Sequence, residues 1–169
     1  MIQTPGSLQT INDRIQQRRA SLLAMRASVR ERRRAGEGGI ACCEWLSSQM
    51  DEFIREIVTR QQELQPQVPP ASFAVLAVGG NGRCRPAPYS DMDLLFLMDA
   101  KHQATAQGFL SAVVRDCWDA GAQPGSSIRT LSDVVRFAIE DIQFATSLIE
   151  TRFLCGDERM AETALRQVR

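Results

Sequence analysis

Apolar residues recur at helical spacing in two stretches near the start of the chain. Leu8, Ile11, Ile15, Leu22, Met25 and Val29 follow at steps of three, four and seven, which marks one face of a helix. Ala35-Gly36-Glu37-Gly38-Gly39 interrupts that stripe. A second stripe begins at Ile40 and passes through Cys43, Leu46, Met50, Phe53, Ile57 and Leu64. Two such helices around a short glycine-rich turn predict an antiparallel helical hairpin, with the aliphatic stripes as core. Pro66, Pro69 and Pro70 stop the second helix.

The pattern then changes. Residues 73–78 and 94–98 are continuous apolar runs of strand length. Between them, Pro86 and Pro88 limit residues 82–90 to at most one helical turn and then loop. Helical period returns over residues 102–120, with Phe109, Leu110, Val113, Val114, Cys117 and Trp118 expected to face inward. A short strand is expected around residues 126–129. Thr130 and Asp133 then stand three apart before another apolar periodicity, a relative of the capping box. The helix they start is expected to run to Leu154 and to end at Gly156. Asp157 is placed to cap a final helix. The chain shows no internal repeat and no low-complexity tract. These elements divide it into a helical hairpin, residues 1–68, and an α+β unit, residues 69–169.

Composition narrows the class. At 169 residues and 44% apolar content, the chain fits one globular domain with a helical extension. No apolar run approaches the roughly 20 residues of a membrane span. Met1-Ile2-Gln3-Thr4 begins no signal peptide, so no membrane partner and a cytoplasmic location are expected. The five cysteines are odd in number and scattered, and His102 is the single histidine, so reduced thiols are expected and a zinc site is not. A single lysine against 19 arginines is read as the mark of a GC-rich genome. The zero net charge is uneven: residues 13–34 hold eight arginines against Asp13 and Glu31. A basic arm can serve nucleic acid, but no aromatic residue is interleaved for base stacking. A solvated helix face is the expected reading, and nucleic acid is not an expected partner.

Chemistry concentrates between the two apolar runs. The first ends in Val78-Gly79-Gly80-Asn81-Gly82-Arg83, and the second is opened by Ser90-Asp91-Met92-Asp93. Side chains alternate along a strand, so Asp91 and Asp93 point the same way. Two adjacent carboxylates repel unless a cation sits between them, and Mg²⁺ carrying a phosphate chain is the common solution. Glycines without Cβ atoms let backbone N–H groups approach phosphate oxygens. A bare Gly-Gly is most often only a tight turn, and a lone Asp-x-Asp most often solvated charge. Together, at the mouths of consecutive strands, they point to a nucleoside triphosphate and metal.

Gly79-Gly80-x-Gly82-Arg83 followed by Pro88-Tyr89-Ser90-Asp91-x-Asp93-Leu94-Leu95 resembles the nucleotidyltransferase signature of bacterial protein-PII uridylyltransferases, members of the polymerase-β-like superfamily. Ser127-Ile128-Arg129-Thr130-Leu131 is similar to a later family segment. So are Asp141 and the run from Ala145 through Glu150-Thr151-Arg152 to Asp157, and more weakly the Arg-rich first helix.

The resemblance implies a small mixed sheet flanked by helices. It implies UMP transfer from UTP, or another NTP, to a tyrosine hydroxyl of a PII-type regulator, by in-line attack with two Mg²⁺ ions. Asp91 and Asp93 would hold the metal. Gly79, Gly80, Gly82, Arg83, Ser90 and Arg129 would contact nucleotide. A third carboxylate usually lies on a later strand; residues 127–129 supply none, and Asp141 is the nearest candidate, with helix capping as its other reading. Asn81, Cys84, Arg85, Pro86 and Ala87 depart from the family pattern, and Ser126 stands where His is usual, which puts nucleotide choice and acceptor docking in question. The family's HD hydrolase and ACT domains have no counterpart in these residues, and one histidine cannot build an HD site. An adenylyltransferase, another NMP transferase, or a non-catalytic nucleotide-binding domain are the alternatives.

Overall fold

The computed structural model describes residues 5–168, without side-chain detail for residues 5–9 and Ser126. The reading of Met1 to Thr4, the place of the Leu8 side chain and the Ser126 substitution therefore lie outside the described residues. Helices α1 (Pro5–Arg34) and α2 (Gly39–Leu64) form the expected hairpin. Gly36 closes α1 at φ +89, with the Glu37 N–H donating to the Arg32 carbonyl, a left-handed stop that favours glycine. Leu22 and Val29 of α1 are buried, whereas Ile11 is partly exposed. On α2 the buried thiol belongs to Cys42 and not Cys43, and Leu64 is exposed: the stripe is rotated slightly from its expected register.

Strands β1 (Phe73–Ala77), β2 (Met92–Met98), β3 (Pro124–Thr130) and β4 (Arg152–Gly156) form one mixed sheet in the order β3-β2-β1-β4. The β2–β3 pair is parallel and the other pairs are antiparallel. A short helical turn, α3 (Gly79–Gly82), leaves β1, and α4 (Gln103–Asp119) makes the crossover from β2 to β3. Alternation sorts the two faces. Phe73, Val75, Ala77, Leu94 and Phe96 pack on α2 and α4, in one buried cluster that also takes Leu22 and Val29 of the hairpin. Ala74, Leu76, Leu95 and Leu97 pack on α5 (Leu131–Glu140) and α7 (Glu158–Val168). This is the α+β sheet flanked by helices that the sequence predicts. No helix among the described residues is long and apolar enough to cross a membrane.

Two expectations are overturned. The helix from Leu131 does not run to Leu154. It stops at Glu140, Asp141 turns extended and caps α6 (Ile142–Ser147), and residues 152–156 form β4. The physical reason is non-local: β4 pairs with the free side of β1, whose backbone groups would otherwise lack partners. Thr146, Ser147 and Thr151 hydroxyls bond back to carbonyls three residues earlier, which eases the end of the helix. Gly156 consequently ends a strand, where a Cβ would lie 2.4 Å from the Phe73 carbonyl oxygen. Trp118 does not face inward; it is 53% exposed, because Cys117 takes the buried position at that turn of α4.

Candidate active site

The chain leaves β1 at Val78 and turns at once through α3. Gly79 sits at φ +54, a region that L side chains rarely adopt. The Val78 N–H donates to the Asp93 carbonyl, which sets the turn against the first residues of β2. Gly82, Arg83 and Arg85 donate their N–H groups to Val78, Gly79 and Gly80, so those amides are engaged inside the turn. The Gly80 N–H instead meets the Asp93 carboxylate.

Asp93 stands between two glycines. A methyl group at Gly79 would lie 3.2 Å from its Oδ2, and one at Gly125, its register partner on β3, 3.2 Å from its Oδ1. Space beside both carboxylate oxygens is thus kept clear. Burial pushes the Asp93 carboxyl above its ordinary range, and the Asp91 charge adds to this; the Gly80 N–H and Arg83 partly offset both. Asp91 is exposed just before β2 begins. The two carboxylates are near enough for the Asp91 charge to act on Asp93. Among the described residues no third His, Cys, Asp or Glu joins them in a metal-binding group.

The other predicted site residues separate into two groups. Gly79, Gly80 and Arg83 lie around Asp93, with Arg83 ion-paired to Glu150 at 2.6 Å. Gly82 has a packing reason to be glycine: a Cβ would lie 1.8 Å from the Glu150 carbonyl oxygen. The Ser90 hydroxyl donates to the Ala87 carbonyl in the loop before Asp91. Arg129 shares the Asp93 face of the sheet but pairs with Leu97, four residues and about 13 Å along β2 from Asp93, and its guanidinium lies 4.3 Å over the Phe137 ring. Its Nε is buried without a partner. Asp141 is exposed, and its Oδ1 accepts the Gln143 and Phe144 N–H groups at the start of α6. That is the capping geometry. His102 pairs with Asp99 on the surface.

Several residues that shape the site carry no spacing signal. Asn81 is 4% exposed and points inward: its Oδ1 accepts the Asp93 N–H at 3.1 Å and its amide faces the Met50 sulfur. Asn81 is therefore an interior support of the turn. Arg152 reaches the same residue, donating to the Asn81 carbonyl at 3.1 Å while paired with Asp51. An aspartate among the mostly apolar buried positions of α2 is the clue the sequence offers to this. The arginines of α1 are also less free than a solvated face implies. Arg26 donates to the Pro88 carbonyl and Arg30 to the Tyr89 hydroxyl, while Arg85 pairs with Glu44 of α2, so the hairpin grips the loop that leads to Asp91.

No family model matches the chain. Its relatives agree with one another, however. It is 32% identical over 167 residues to the bifunctional uridylyltransferase/uridylyl-removing enzyme of Phenylobacterium zucineum, an alignment covering 92% of this chain and 18% of that protein. The protein of the same name from Caulobacter vibrioides is 35% identical over 153 residues, 88% of this chain and 16% of its own length. That from Cupriavidus pinatubonensis is 45% identical over 93 residues, 55% of this chain and 11% of its own. The chain thus spans less than a fifth of the length of these relatives. The glycine turn, the paired aspartates and these alignments lead to one assignment: the chain is a homologue of the bifunctional uridylyltransferase/uridylyl-removing enzymes, matching one part of their length.

Proposed function

We propose that this chain is a nucleotidyltransferase unit that moves UMP from UTP to a tyrosine hydroxyl of a PII-type regulatory protein. The observation that carries the reading is Asp93, a carboxylate partly withdrawn from water, beside a second carboxylate and under a glycine turn. A carboxylate raised by burial and by a neighbouring negative charge is a favourable place for a cation. The donor set fits Mg²⁺, which takes one or two carboxylates and completes its shell with phosphate oxygens and water. When bound, two such ions would stabilise the charge on the attacking and leaving oxygens of an in-line displacement.

The chain's own residues do the rest. Asp91 and Asp93 hold the cation side. Gly79 and Gly80 keep side chains away from the phosphates and present the turn's backbone. Arg83 lies beside Asp93 and pairs with Glu150 in an exposed ion pair, worth little in water, so a phosphate can replace the Glu150 carboxylate. Arg129, level with Leu97 and stacked on Phe137, stands about 13 Å along the sheet from Asp93 and takes no part in this reading. Asp141 is occupied as a cap, so proton removal from the acceptor falls to Asp91 or Asp93 in this reading.

Transfer of label from each of the four α-labelled NTPs to a PII-type protein, with Mg²⁺ present, tests the proposal. Label from UTP on a tyrosine of the acceptor supports it. Label from ATP alone would make the chain an adenylyltransferase on the same site. A second reading, a nucleotide-binding domain without transfer, is favoured by the absence of a third clustered carboxylate among the described residues. Tight Mg²⁺-dependent UTP binding with no labelled acceptor would establish it.

A further inference from the structure

The segment Glu150-Thr151-Arg152 meets the glycine turn at three points. The Glu150 backbone lies flush against Gly82, and the Glu150 carboxylate pairs with Arg83. The Arg152 guanidinium donates to the Asn81 carbonyl at 3.1 Å and also contacts the Cys84 thiol, so it touches the turn and the loop after it. Behind the guanidinium stand Asp51, in a two-pronged pair, and the Ser47 hydroxyl at 3.2 Å, both buried on α2. Cys84, at φ 57, has the only left-handed backbone among the described non-glycine residues, so this loop adopts a shape it would not take unaided.

An ion pair between a half-buried arginine and a buried aspartate is poor evidence of stabilisation, because desolvation offsets much of its attraction. Here the arginine is not even fully satisfied, since its Nε is buried without a partner. Replacing such a pair with well-packed apolar residues of similar size is often neutral for stability. What an apolar pair would lack is directed donation to the Asn81 carbonyl. Asn81 in turn holds the Asp93 N–H through its side chain. The pair therefore connects α2, β4, the turn and the metal strand through one residue.

We infer that Arg152, fixed by Asp51, is a positioning residue that sets the orientation of the Gly79–Gly82 turn relative to Asp93. The inference rests on the nucleotide-binding reading of that turn for its functional consequence, but not for its structural one. Arg152 touches no reacting atom; it acts through Asn81.

The test has two arms on the same variants, Arg152→Lys, Arg152→Met and Asp51→Asn. The first arm measures amide hydrogen exchange at Gly82, Arg83, Cys84 and Arg85, whose N–H groups close the turn, against the amides of β1. The expected result is exchange at least tenfold faster in the turn for Arg152→Met and Asp51→Asn, an intermediate value for Arg152→Lys, and β1 within about twofold of wild type. Turn amides no faster than wild type, or acceleration equal in turn and β1, would overturn the inference. The second arm titrates Mg²⁺·UTP, with at least a fivefold loss of affinity expected in the same order of variants. Undiminished affinity in variants with a loosened turn would remove the functional half. Failure of the wild type to bind Mg²⁺·UTP would refute the proposed function, while the exchange arm still decides the role of Arg152. Should Arg152→Met not fold, Arg152→Lys and Asp51→Asn carry the comparison.

Discussion

The Asn81 side chain accepts the Asp93 N–H at 3.1 Å, so the floor of the glycine turn is tied to the first residues of β2. The bond spans 12 residues of chain, most of it a loop with two prolines, and takes the place of a strand ladder bond that the turn has interrupted. It explains how a four-residue helical turn with no apolar side chain of its own holds a fixed place. Asn81 is the one buried residue in α3, and the two elements it bonds belong to different layers.

Asn81→Ala removes the acceptor and leaves a partly buried N–H unpaired. Such losses cost about 1–3 kcal/mol. Urea unfolding should show a stability loss in that range, with an unchanged dependence on denaturant concentration. A loss below about 0.5 kcal/mol would mean that the side chain is a passenger in the core. Asn81→Asp keeps an acceptor oxygen but adds a buried charge near Asp93, and should cost more than the alanine variant.

The Asp93 carboxyl offers a signed test of the electrostatics. Burial raises it most and Asp91 next, while Arg83 lowers it. Asp91→Asn should therefore bring its titration down, and Arg83→Gln should push it up, both read by carboxyl-carbon NMR. A carboxylate raised in the folded state costs stability once ionised, so that cost is present above the folded pKa and disappears as pH falls below it. Asp93→Asn should consequently raise the melting temperature slightly at neutral pH while abolishing Mg²⁺-dependent UTP affinity. A lowered melting temperature together with intact Mg²⁺ dependence would contradict the assignment of Asp93 to the metal.

Local signals were enough to single out the candidate site and not the residues that support it. Asp91, Asp93, Gly79 and Gly80 fall within 15 residues, and their meaning follows from strand alternation and the missing Cβ atoms. Gly125 and Arg152 act on the same carboxylate and the same turn, but from strands whose places depend on pairing. Arg152 meets Asp51 across 101 residues. The same cause misplaced β4. Residues 152–156 read as helix because the apolar spacing before them is helical, and only the unpaired side of β1 converts them to strand. Trp118 shows the opposite limit, since an apolar stripe on α4 does not say where its edge lies.

The capping box at the start of α5 was legible, and it too can be tested. Thr130 and Asp133 bond reciprocally through side chain and backbone. The Thr130 hydroxyl, then Arg136 and the Thr130 N–H, hold the Asp133 carboxyl down to about 2. A depressed carboxyl contributes stability that is present above the ordinary aspartate range and is lost as pH falls toward 2. Thr130→Val should cost about 1 kcal/mol at pH 7, as lost caps do. The stability gap between wild type and Asp133→Asn should shrink steadily between pH 5 and pH 2.5. A gap independent of pH would show that the charge contributes nothing to the cap.

The three glycines of the turn should respond differently to the same added bulk. Gly82→Ala places a Cβ 1.8 Å from the Glu150 carbonyl oxygen, which backbone cannot yield cheaply, so thermal stability should fall steeply. Gly79→Ala sets an L side chain at φ +54 and 3.2 Å from the Asp93 Oδ2, and should disturb both fold and metal affinity. Gly80 is the informative position. Its φ is ordinary for an L residue, and the nearest atom to an added Cβ is the Arg85 carbonyl oxygen at 4.0 Å, which is ordinary contact. Gly80→Val should therefore fold with little change in melting temperature. If the turn cradles phosphate, the valine occupies the approach and weakens Mg²⁺·UTP binding at least tenfold, about 1.4 kcal/mol. Calorimetric titration and thermal melting on that one variant separate the two roles. A stable Gly80→Val protein with wild-type affinity would show that the turn serves the fold and leaves phosphate to other groups.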